Sequence, residues 1–202
     1  MWPELAINHG VKAMTNRPNL RRGFLAATLF FVLSIAAGWL FAQELDPVLR
    51  PGLENLLGAA ERSTQVDSQY QSVALTAFIF LKNLSVAAIL VLIGHVAFAA
   101  PTIFTLLVNG ALIGLLARLF IEGGLDPLAF AAGIAPHGVV ELPALLLAAG
   151  FAFALAAKRL RGKTVPGLGS RLGFLLRVIA PLLLMAAVLE VYLTPLVLAR
   201  FL

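Results

Sequence analysis

The chain has no cysteine and little charge: Asp, Glu, Lys and Arg together make up 12% of its 202 residues. The absence of cysteine excludes disulfide scaffolds, thiolate metal sites, cysteine nucleophiles and thiol redox switches. The scarcity of charge excludes an ordinary soluble domain, in which about 25% of residues are charged and under half are apolar. Familiar catalytic signatures are missing as well: there is no His-Glu-x-x-His, Gly-x-Ser-x-Gly, Walker loop or dinucleotide fingerprint. No internal repeat of the transporter kind stands out.

What the chain has instead is apolar length. Hydrophobic side chains account for 60% of it, and its mean hydropathy is +0.95. So short a chain cannot cover that much apolar surface with its own polar groups, so lipid must cover it. The net charge of +5 then reads as positive-inside bias and attraction to anionic lipid headgroups, not as affinity for nucleic acid.

Charge-free runs mark the spans. Gly23 to Gln43 lies between Arg22 and Glu44 and is long enough for one crossing. It is too long for a signal-peptide core and lacks a small-x-small cleavage site, so it reads as a retained helix. Glu44 to Asp67 is too polar to cross. Within it, Leu53, Leu56, Leu57 and Ala60 recur at helical spacing, as either a short interfacial helix or a solvated loop. Asn83 to Ala117 carries no formal charge and divides at Pro101, giving crossings at about Val73–Ala99 and Pro101–Ile121 with a tight turn between. Leu128 to Ala135 suits an interfacial or re-entrant piece, after which Pro136 opens a crossing over His137–Ala157. A Pro/Gly linker, Thr164 to Ser170, leads to the last crossing, about Leu172 to Leu198.

The expected fold is therefore all-α: a polytopic membrane helix bundle of about five transmembrane helices plus a short interfacial helix. Residues 1–22 form a cytoplasmic N-terminal segment, and 23–202 a single transmembrane domain with an outer loop at 44–72 and a basic loop at 158–171. Lys12, Arg17, Arg21 and Arg22 fall on the same side as Lys158, Arg159, Arg161, Lys163 and Arg171 if the chain crosses five times. That places a multi-pass protein in the cell membrane with its N-terminus in the cytoplasm.

Ionisable groups at membrane depth cost about 2.5–3.5 kcal/mol each and need a reason to be there. Arg118 and Arg177 lie near helix ends, where snorkelling explains them. The densest group is Pro136-His137-Gly138-Val-Val-Glu141-Leu-Pro143. His137 and Glu141 are one turn apart on one face. If Pro136 starts the helix, Glu141 sits in its first turn, where the dipole favours a carboxylate. Pro143 leaves the Val139 carbonyl without its helical donor, and Gly138 lets a neighbour come close. Glu190, followed by Tyr192, Thr194 and Pro195, could face the same cavity. Such a group could bind a cation or a polar headgroup, relay a proton, or hold the helices in register by hydrogen bonds. Asn83 and Asn109 are further polar-core candidates, and His95 reads as a satisfied or solvated histidine. A tetrahedral zinc site would need about three ligands from His95, His137, Glu141 and Glu190 on three helices; His137 and Glu141 are the ligands to hand. No cofactor and no catalytic residue is expected. Gly110-x-x-x-Gly114 is a close-packing face that invites a homodimer.

Taken in order, Asn83, Leu-Val-Asn109-Gly110-Ala-Leu-Ile-Gly114, Pro136-His137-Gly138-Val-Val-Glu141-Leu-Pro143-Ala144 and Leu189-Glu190-Val-Tyr-Leu-Thr194-Pro195 resemble the stage II sporulation protein M family of integral membrane proteins. The resemblance covers roughly Val73 to Leu202; the first helix and its loop match in layout. It implies recurrent positions at Asn83, Asn109, Gly110, His137, Gly138, Glu141 and Glu190. It also implies a membrane scaffold, since the family's namesake works with peptidoglycan-degrading partners in endospore formers. The first expectation is thus a non-enzymatic scaffold recruiting membrane or envelope proteins. The second is a transporter of a small solute, ion or lipid through a buried His/Glu cavity. The third is an intramembrane metal-dependent hydrolase, for which no nucleophile stands out among Ser34, Ser72, Ser85 and Thr105.

Overall fold

The computed structural model describes residues 19–48, 50–51 and 68–201. The interfacial helix expected around Leu53 to Ala60 lies outside the described residues. Among the described residues, five helices are long and apolar enough to cross a membrane: α1 (Leu20–Leu40), α2 (Ser68–Ile93), α3 (Ala100–Glu122), α4 (Pro127–Leu160) and α5 (Leu168–Leu198). No strand occurs among the described residues. The apolar side chains that point outward, such as Leu29, Val32, Phe104, Leu176 and Leu196, are the lipid-facing surface of the bundle.

Asn19 caps α1, its side-chain oxygen accepting from the Arg22 amide. Gly23, Ala27, Phe31, Ser34 and Gly38 form its buried stripe, mostly small residues three or four apart. Backbones can touch along such a stripe, and they do. A Cβ on Gly23 would overlap the Gly150 carbonyl of α4, and one on Gly38 would overlap Ala111 of α3. Gly110 and Gly114 face Ser34 and the Ile35–Trp39 backbone in turn. The Gly-x-x-x-Gly face is therefore occupied by α1 of the same chain, not left open for a second copy. Gly138, although buried, meets the Ile134 and Leu142 side chains of its own helix and admits no neighbouring backbone. Helical residues continue from 42 to 48, so the chain leaves α1 as helix where the sequence suggested a loop from Glu44.

α2 begins at Ser68 and ends at Ile93, and the turn to α3 is indeed tight. Ala97, Phe98 and Ala99 adopt left-handed φ values of 48°, 57° and 65°, each costing a non-glycine residue about 1–2 kcal/mol. Thr102 donates its hydroxyl to the Gly94 carbonyl across this turn, and Pro101 occupies the first turn of α3.

α4 departs most from expectation. Leu128 to Ala135 is no separate interfacial piece: one helix of 34 residues runs from Pro127 to Leu160, with Pro136 and Pro143 inside it. Asp126 is the N-cap, accepting from the Leu128 amide, and Pro127 takes the first helical position. Pro136 thus opens nothing, and Glu141 is far from any helix terminus, so the dipole argument for its charge falls away. Membrane helices tolerate internal prolines because neighbouring groups re-satisfy the freed carbonyls. Half of α4's most apolar window is buried, against 22–28% in the other helices, which makes it the central helix. The core gathers Ala144, Ala148, Ala149 and Leu155 of α4 with Leu90, Ile179 and Leu183.

α5 contains two π-turns, Leu175–Ile179 and Leu189–Leu193, each just ahead of a proline (Pro181 and Pro195). A π-turn widens the helix by one residue and lets the proline pass without breaking it. At its start, Arg171 donates to the Leu92 carbonyl, fastening α5 to the end of α2.

Candidate functional site

Two elements present the ionisable group. On α4, His137 and Glu141 share a face one turn apart; on α5, Glu190 sits in the second π-turn. One ring nitrogen of His137 and one carboxylate oxygen from each glutamate all lie within 4.8 Å of one another. All three side chains are half-buried. They stand on the wall of a cavity of about 550 Å³ between α2, α3, α4 and α5, within the usual size range for ligand sites. Glu141 lies roughly 21 Å from the Pro127 end of α4 and roughly 28 Å from the other end, at 1.5 Å per residue. The cavity thus lies near the middle of α4 along its length.

Thr194 decides which ring nitrogen of His137 is available. Its hydroxyl lies 3.2 Å from the Leu189 carbonyl and 3.2 Å from His137 Nδ1. A hydroxyl has one proton to give. Given to Leu189, it leaves the Thr194 oxygen to accept from Nδ1–H, and Nε2 keeps its lone pair. A histidine held in this way is oriented as metal-ligating histidines usually are, by a hydrogen bond on the other nitrogen.

Asn83 of α2 is buried and lines the cavity, as does Asn109 of α3. The Asn109 amide nitrogen donates to the Thr105 carbonyl, so its oxygen is the polar atom left for the cavity. Lys82 also lines the space, the one lysine or arginine there among the described residues. The rest of the wall is apolar, including Phe78, Leu112 and Ile134, and no hydroxyl side chain faces it among the described residues.

The five polar-core residues read from the sequence therefore line one cavity. The zinc reading expected ligands on three helices; the structure supplies three donors from two. His95 takes no part: it lies in the turn after α2, buried, with Nδ1 lacking a hydrogen-bond partner among the described residues. Its ring also lines a separate cavity beside Val96, Phe98 and Arg159. Arg118 pairs with Glu122 and lies over the Trp39 ring, which accounts for it at a helix end. Sequence reasoning missed Thr194 as the group that orients His137. Its one signal is its position, four residues after Glu190 and just before Pro195.

The two carboxylates are close enough to repel strongly in a low-dielectric setting unless a cation or protons sit between them. Donor atoms bound 2.0–2.2 Å from one metal ion lie about 3–3.6 Å apart. The three groups need to draw in by about an ångström to ligate one ion, which side-chain rotation supplies. Residues His137, Glu141 and Glu190 thus fit a metal ion in donor type, number and spacing.

Neither a curated protein nor a solved structure matches the chain. A family model, Stage II sporulation protein M, matches residues 27–195. The match starts within α1, so it takes in the first helix as well as the motifs that carried the resemblance. It encloses Asn83, Asn109, His137, Glu141 and Glu190. The chain is a multi-pass helical membrane protein that belongs to the Stage II sporulation protein M family.

Proposed function

We propose that the protein is a membrane carrier that takes a divalent metal cation into the cavity between α2, α3, α4 and α5. One observation carries this reading: donor atoms of His137, Glu141 and Glu190 gather within 4.8 Å on the cavity wall. One imidazole and two carboxylates form a donor set suited to Zn²⁺, Mn²⁺ or Fe²⁺. The ion neutralises both carboxylates, and the Asn83 and Asn109 amides offer neutral oxygens beside it. The N-terminus lies in the cytoplasm, supported by the basic residues at the α1 start and the α4–α5 connection.

The scaffold expected from the family resemblance has no use for a cavity lined in this way. A hydrolase would use the same cation, yet no hydroxyl nucleophile faces the space among the described residues. The test is metal flux into proteoliposomes loaded with a fluorescent indicator. Uptake of Zn²⁺ or Mn²⁺ is expected with the unaltered protein and is expected to be lost in Glu141→Gln and Glu190→Gln with the fold intact. Folded protein that moves no metal, with or without these glutamates, overturns the carrier reading and returns the scaffold to first place.

A further inference from the structure

The cavity that holds His137, Glu141 and Glu190 also contains a cation that metal binding by itself leaves unused. Lys82 of α2 lines the same space. It follows Ser68, the start of α2, by fourteen residues, as Glu141 follows Pro127, the start of α4. Each therefore lies roughly 21 Å along its helix at 1.5 Å per residue. With α3 crossing between them, α2 and α4 run in the same direction, so the two side chains belong to one depth. We propose that the Lys82 ammonium is a tethered competitor for the metal seat. It pairs with Glu141 and Glu190 when the carrier is empty, and an entering divalent cation displaces it. This role rests on the carrier reading above.

Charge balance leads to it. Glu141 and Glu190 bring carboxylate oxygens within 4.8 Å of each other. Among the described residues the ion pairs are Arg50 with Asp46 and Arg118 with Glu122, so neither glutamate holds a cationic partner. Lys82 holds no acidic partner either. A lysine in mid-span is costly unless it is paired or hydrated. Glu141 feels both neighbours, Glu190 repelling its carboxylate and Lys82 attracting it. Each side of the cavity lacks what the other supplies.

The side-chain chemistry favours exchange over a fixed bridge. Lys82 is exposed, not packed in, so its four-carbon stem is free to swing. Its ammonium is a compact point charge that either carboxylate satisfies. A divalent ion brings twice the charge and takes the His137 nitrogen as well, so it wins the seat and repels the ammonium. When the ion leaves, the lysine returns. The empty protein is then spared two unpaired carboxylates at membrane depth, and metal must exceed a threshold concentration to displace the lysine.

Two measurements on the full chain in detergent test this, with Lys82→Met removing the charge from an unbranched stem. Equilibrium titration with Zn²⁺ or Mn²⁺ reads the competition. An ammonium that fills the seat in about nine-tenths of empty molecules weakens apparent affinity about tenfold. Lys82→Met is therefore expected to bind metal about tenfold more tightly, and Lys82→Arg to restore the weaker binding. Lys82→Gln, polar but uncharged, is expected to behave as Lys82→Met does. A lysine that only supports the fold gives the opposite sign. Thermal unfolding without metal reads the pairing. The change in Tm on Glu141→Gln/Glu190→Gln is expected to be more negative with Lys82 present than in the Lys82→Met background. Equal or weaker metal binding by folded Lys82→Met, or the same Tm change in both backgrounds, overturns the role of Lys82 and leaves the metal site standing. Metal bound by none of these proteins overturns the carrier reading itself, and the competition with it.

Discussion

His137 depends on one hydroxyl. Thr194 directs its proton to the Leu189 carbonyl and accepts from Nδ1, which fixes the ring and frees Nε2. Thr194→Val keeps the shape and removes both bonds, so metal affinity is expected to fall about 10- to 100-fold with the fold retained. Equilibrium metal titration reads this directly; unchanged affinity would mean that the hydroxyl does not set the ring. His95 presents a different residue-scale consequence, because its Nδ1 is buried without a partner among the described residues. Burial, with Arg171 and Arg159 nearby, holds its pKa below the ordinary value of 6.5. The unfolded chain therefore binds this proton more readily, so stability is expected to fall as pH drops below about 6.5. Thermal denaturation against pH should show this acid limb, flatter in His95→Gln; an identical limb in both would assign it to other groups.

At the scale of elements, α1 is held by backbone contact. A Cβ at Gly114 would overlap the Ile35 carbonyl, which is backbone and cannot rotate away. Gly114→Leu is expected to force α1 and α3 apart and to cost at least about 1–3 kcal/mol. Gly133→Ala, with open space around it, should be close to neutral. Thermal unfolding in detergent compares the two, and equal stability would show that the α1–α3 contact is not close-packed. These elements also show what the sequence made legible. Charge-free runs located all five crossings, because lipid tolerates few charges. The split of the long run at Pro101 held, since proline suits the first turn of a helix. Pro136 misled for the same reason in reverse: proline marks helix starts in water, whereas a packed membrane helix absorbs it. The π-turns of α5 were illegible, because residue spacing assumes 3.6 residues per turn throughout. Gly110 and Gly114 announced a close contact, but a motif names no partner, and here the partner is the Gly23–Gly38 stripe of the same chain.

For the whole molecule, two kinds of chemistry occupy different depths: an acidic and imidazole group inside the bundle, and a basic cavity at one end. His137, Glu141 and Glu190 were legible one by one because a charge at depth is conspicuous. A shared cavity for them was an open possibility from the sequence, but their close approach was not legible, because it depends on the rotation of α5 about its axis, which the π-turn sets. Topology can be tested in a chain that has no cysteine. A cysteine at Ser170 should label from the cytoplasmic side and one at Gly123 from the opposite side; the reverse pattern would invert the proposed orientation. The most direct measurement is calorimetric titration of the purified chain with Zn²⁺ and Mn²⁺, beside the His137→Ala/Glu141→Gln/Glu190→Gln variant. One ion bound per chain, and none by the folded variant, is the expected result. Equal binding by both proteins, or binding by neither, would contradict a metal centre at these three residues.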